Sequence, residues 1–150
     1  MQANAISERL LLTLWVGSLL AIGYIAVPMA FATLGDATLA GHFTGKLFLA
    51  VNILGLGCGM VLLISKFIAQ GKHAVSLWRF WVVLVMLLLS LVMLTYLQPE
   101  IIRMAEIKQL TPLDNATLNR FDLFHMISSN VYMVVSLLGV ALVVSTDKAP

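Results

Sequence analysis

Charge is the first thing this chain is short of. Of its 150 residues only 11% are charged and 61% are hydrophobic, where a soluble domain carries roughly 25% and 45–50%. That shortage excludes an ordinary water-soluble core with a charged shell. A formal charge of +2 is also too small for a nucleic-acid binder, which needs a clustered basic face, so no nucleic-acid partner is expected. Cysteine is nearly absent: Cys58 stands alone in an apolar run and can form no internal disulfide. There is no CxxC, no HxxxH and no carboxylate cluster at ligand spacing, which leaves the common metal and haem motifs unfilled. No serine or cysteine sits in a recognisable nucleophile elbow, and no internal repeat is visible.

What is present is a set of long apolar runs. They cover about 10–34, 47–69, 77–97 and 120–145. A bilayer core about 30 Å thick takes roughly 20 helical residues to cross, and each run is long enough. Only helices and closed barrels satisfy their backbone hydrogen bonds in lipid. Barrel strands alternate over roughly 10 residues, and these runs are longer and apolar throughout. The expected fold is therefore an all-α, four-helix transmembrane bundle, a single domain over 1–150, with the lipid bilayer as its first partner. Ala30, Phe31 and Ala32 resemble a small-x-small signal cleavage site, but the run before them exceeds the usual length of about 7–15 residues. We expect it to remain as a span.

The connections carry the turn signals. Residues 35–46 read as a short loop or helix lead, and 70–76 as a tight polar turn. The longest connection is 98–122. Pro99 is expected to end the third span, because proline disfavours helix in the residue before it. A short, weakly amphipathic interfacial helix then follows, with Ile101, Ile102, Met104, Ala105 and Ile107 set among Glu100, Arg103, Glu106 and Lys108. Thr111 and Pro112 break it, Asp114 or Asn115 caps a new helix, and that helix runs into the fourth span.

Four spans put both termini on one side. That side carries Arg9, Lys66, Lys72, Arg79 and Lys148. The other carries Lys46, Arg103, Lys108 and Arg120, together with Asp36, Glu100, Glu106, Asp114 and Asp122. The turn from Lys66 to Arg79 is basic and contains no acid, so the positive-inside rule places both termini in the cytoplasm. Trp78 and Trp81 then fall in the cytoplasmic aromatic belt and Tyr96 in the opposite one.

Polar residues inside the spans mark the candidate site. In the fourth span Asp122, His125, Ser129, Tyr132, Ser136 and Gly139 recur at alternating steps of three and four, which places them on one helix face. Such a face either binds something or forms a hydrogen-bonded seam between helices. Asp122 precedes His125 by three residues and can orient its imidazole. In the first span Pro28 removes the amide that would bond the Tyr24 carbonyl; Tyr132, Ser129 and Asn52 are candidate donors to it. Depth counting brings Tyr24, Pro28, Asn52, Asp122, His125, Ser129 and Tyr132 into one outward-facing polar pocket. Gly17, Gly55, Gly59 and Gly139 are the expected helix-packing positions, with Gly55-x-x-x-Gly59 the close-contact motif. That seam, or a membrane-protein partner, is where a homodimer or complex is expected. His125 and His42 are the only candidate metal ligands.

The motifs Trp15-x-Gly17, Tyr24-x-x-x-Pro28-x-x-Phe31, Gly41-x-x-x-Gly45-Lys46-Leu47-Phe48 and Phe121-x-x-x-His125-x-x-Ser128-Ser129 resemble a family of small bacterial integral membrane proteins. That family is a domain of unknown function, DUF4149, grouped with eukaryotic transmembrane protein 205. The resemblance implies four membrane helices in a bacterial inner membrane and no established activity. The expectation is a structural or accessory bundle, not an enzyme, with no cofactor. The alternative is a small-ligand, metal or haem binding or transport protein that uses His125.

Overall fold

The computed structural model describes residues 2–110 and 115–145. Among the described residues four helices are long and apolar enough to cross a membrane: Ile6–Thr33, Ala37–Ser76, Trp78–Ile107 and Asn115–Val144. No strand occurs among the described residues. The protein is an all-α, four-helix transmembrane bundle. The first span consists of α1 (Gln2–Ala21), a π-helical turn (Ile22–Ala26) and α2 (Val27–Thr33). The second is α3 (Ala37–Gln70), followed by a 3₁₀ turn (Gly71–Ser76). The third is α4 (Trp78–Val92), a second π turn (Met93–Leu97) and α5 (Gln98–Leu110); the fourth is α6 (Asn115–Val144).

Local chemistry sets the boundaries. Gly35 and Gly71 have φ of 66° and 54°, a backbone that side chains with a Cβ rarely adopt, and each stands at a turn between spans. The Asp36 side chain accepts a hydrogen bond from the Thr38 amide at 2.8 Å, an N-cap that starts α3 well before residue 47. The helix lead expected over 35–46 is thus the first turns of the second span. The Thr111–Pro112 break, the cap at Asp114 and the tail from Thr146 lie outside the described residues; α6 is helical from Asn115.

The first span packs against the second and fourth, the third does the same, and the first and third stand at opposite corners. Trp15, Leu19, Val51, Met86, Ser136 and Leu142 fill the centre. Trp15 fits because two glycines face it. A Cβ on Gly55 would lie 2.3 Å from its Nε1, and one on Gly59 would lie 2.6 Å from Leu87 Cδ2 and 3.0 Å from Trp15 Cη2. Gly139 likewise receives Val16 of the first span and Met86 of the third. The Gly55-x-x-x-Gly59 motif is therefore used within the chain. Gly17 is exposed with open space where its side chain would be, so it is not a packing position inside this bundle. The outward residues Ile25, Ile53, Ile64, Leu88 and Leu137 are apolar and exposed, as lipid contact requires.

Pro99 does not end the third span. The helix widens instead: the Gln98 amide, immediately before the proline, bonds the Met93 carbonyl five residues back. Pro28 is accommodated in the same way, with the Val27 amide bonded to the Ile22 carbonyl. Proline lacks a donor and its ring crowds the carbonyl four residues earlier; a π turn just ahead of it absorbs both problems. As a result α5 continues the helix of the third span beyond Pro99 and packs on α6, with Met104 buried.

Candidate functional site

The polar side chains that link one span to another lie at two levels, while Thr44, Asn52 and Ser136 bond their own helices. At the end where α1 begins and α6 finishes, three spans meet at one carboxylate and the fourth is joined to them through Arg79. Glu8 Oε1 of the first span lies 3.1 Å from Lys66 Nζ of the second and 3.2 Å from Arg79 Nη2 of the third. Arg79 Nη1 donates to the carbonyl oxygen of Ser145, at the end of the fourth. The Lys66 and Arg79 side chains are 8% and 9% exposed and Glu8 is 25% exposed. Taking such cations out of water costs several kcal/mol each unless they are paired, so the carboxylate between them offsets a large penalty. This cluster escaped the sequence reading, which treated Lys66 and Arg79 as flanking charges and passed over Glu8. The signal was there: the acid stands near the start of its span, as Arg79 does in the third.

The second level is a tyrosine wedge. The buried Tyr132 hydroxyl of α6 donates to the Leu19 carbonyl of α1 at 2.7 Å. Its ring lies against Gly23, where a Cβ would fall 2.3 Å from Tyr132 Cε1. On the other side Phe48 of α3 meets it edge-on, with centroids 5.0 Å apart. The wedge thus reaches the first span at the start of its π turn. Insertion of a side chain into the helical ladder is a recognised cause of such a local change. At the corresponding turn of the third span, Gln98 Nε2 donates to the Gly45 carbonyl of α3 at 2.9 Å, and Gln98 is buried.

The residues expected to form one pocket divide. Asn52 and Tyr132 are buried, whereas Tyr24, Pro28, Asp122, His125 and Ser129 are exposed. Their hydrogen bonds also differ from the expected ones. Tyr132 bonds the Leu19 carbonyl rather than that of Tyr24, Asn52 Nδ2 returns to its own helix at the Phe48 carbonyl, and the Ser129 hydroxyl returns to the His125 carbonyl. In the fourth span the chosen face is right for Tyr132, Ser136 and Gly139 but one residue off further out. There Phe121, Phe124 and Ser128 are half-buried, Phe124 lies 6.1 Å from Tyr96, and the His125 ring lies 6.2 Å from Phe121. The aromatic spacing from Phe121 to Phe124 was the signal for that register. His42 is exposed near the start of α3. Among the described residues no group of three or more His, Cys, Asp or Glu side chains is placed to hold a metal ion.

Chemically, this arrangement joins helices. The carboxylate, the phenol and the carboxamide nitrogen each link different spans, while Gln98 Oε1 is buried without a hydrogen-bond partner. Such a core, in four apolar helices, defines a multi-pass membrane bundle. Residues 10–109 match the model of a domain of unknown function, DUF4149, and the chain belongs to that family. No curated protein matches the chain, and neither does any solved structure.

Proposed function

We propose that the protein is an accessory, non-catalytic bundle of a bacterial inner membrane, working without a cofactor and through a membrane-protein partner or a second copy. The observation that carries this reading is how the polar side chains that reach between spans are used. Glu8 binds Lys66 and Arg79, Tyr132 binds Leu19, and Gln98 binds Gly45, each pair joining two spans. A membrane enzyme would instead converge acids, bases or ligands on one reacting atom. The basic turn from Lys66 to Arg79 supports cytoplasmic termini, since acids weigh little in orientation. The motif resemblance to transmembrane protein 205 supports the same class of small multi-pass protein.

A second reading has an observation of its own. Asp122, His125 and Ser129 form an exposed polar stripe near the outer end of α6, and a small ligand or metal carrier would use it. To separate the two, the protein is purified in mild detergent and its bound metal and visible absorbance are measured, beside His125→Ala. The accessory reading expects no stoichiometric metal and no absorbance band in either protein. A stoichiometric species that His125→Ala loses would overturn it in favour of the carrier.

A further inference from the structure

The two π turns are alike in more than type. Each ends two residues before a proline, Pro28 or Pro99, and in each the residue before the proline makes the five-residue bond. Ile22 and Met93 stand at equal residue counts from Glu8 and Arg79, which touch, so the turns lie at one depth, about 21 Å from that contact at 1.5 Å per residue. The spans that contain them occupy opposite corners of the bundle. The other two spans carry no such turn: α3 and α6 run unbroken for 34 and 30 residues. Gln98, just past the second turn, donates to the Gly45 carbonyl of the unbroken α3, whereas the Tyr132 bond reaches Leu19 on the base side of the first turn and its ring lies against Gly23 within it.

We propose that these turns are a matched pair of hinges. Below them Glu8, Lys66, Arg79 and Ser145 bind all four spans into a fixed base. Above them α2 and α5 swing away from the frame formed by α3 and α6, and the Gln98 hydrogen bond to α3 is the latch that holds the closed form described here. A π turn has one more residue per hydrogen-bonded ring than an α turn, and a proline beside it removes a further bond, so bending is concentrated there. Opening uncovers Asn52 and Tyr132, both buried when closed, and joins them to the exposed flank at His125. The hinge does not depend on the accessory role, because it follows from the backbone and the Gln98 latch.

The test is a distance measurement by electron paramagnetic resonance on the full chain in lipid nanodiscs, with Cys58→Ala as background. One spin-label pair, Thr33→Cys with Ile102→Cys, reports on the two moving segments. A second pair, Leu39→Cys with Asn119→Cys, reports on the frame. All four positions are exposed. Gln98→Leu removes the latch and is expected to raise the longer-distance population of the first pair roughly fivefold, the effect of one net hydrogen bond. The frame pair stays single and unchanged. If Gln98→Leu does not fold, Gln98→Met, which keeps the length of the side chain without its hydrogen bond, decides. An unchanged, single distance in the first pair, or an equal shift in the frame pair, overturns the proposal.

Discussion

Glu8 shares one oxygen between cations of two other spans, and that geometry sets its expected energetics. Without the carboxylate, Lys66 and Arg79 remain buried with less compensation. Glu8→Gln should therefore lower stability by about 2 kcal/mol, less than for a fully buried pair because Glu8 keeps some solvent contact. A double-mutant cycle with Lys66→Met in one detergent tests the pair. We expect a coupling of about 2 kcal/mol, and additivity within about 0.5 kcal/mol would remove Glu8 from the account. Two glycines give a contrasting prediction. Gly23→Ala pushes a methyl into Tyr132 and should cost about 1–3 kcal/mol. Gly17→Ala meets open space and should be neutral or stabilising by up to about 1 kcal/mol. Thermal unfolding of both variants checks the pair. At this scale the sequence was half legible. Spacing identified Tyr132, Ser136 and Gly139, because a polar or small residue in an apolar run stands out. It misjudged His125 and Ser129, because the inward flank there is made by Phe121 and Phe124, which look like any lipid-facing residue in a membrane segment.

The elements follow from the prolines and from the Asp36 cap. Asp36 and Gly35 start the second span where their chemistry requires. Pro99 was the misleading signal. In a soluble helix a mid-run proline usually ends or kinks the helix; here a π turn and packing on α6 carry the helix through. The break was legible, and its accommodation was not, since nothing in the sequence announces a π turn. Spin-label scanning across 98–107 should show the accessibility period of one continuous helix, with a minimum at Met104 and maxima at Ile102, Arg103 and Glu106. A phase break at Pro99, or uniform exposure beyond it, would contradict a continuous third span.

As a whole molecule, the bundle is longer than a bilayer is thick. At 1.5 Å per residue α3 spans about 51 Å, against a hydrocarbon core of about 30 Å. The charged base, with Trp78 and Trp81 exposed beside it, fits one interface. The start of α3, α5 and the first turns of α6 then project past the other. Hydropathy made the four spans legible, because lipid leaves the backbone so few choices. The projection was not, because its helices are polar enough to read as connections. The four crossings are tested most directly by labelling single cysteines in spheroplasts, in a Cys58→Ala background, with a membrane-impermeant maleimide. The account predicts that Asp36→Cys reacts in intact spheroplasts and that Lys72→Cys reacts only after lysis. Reaction of both positions in the same state would contradict a second span that crosses the membrane, and the reverse pattern would contradict cytoplasmic termini.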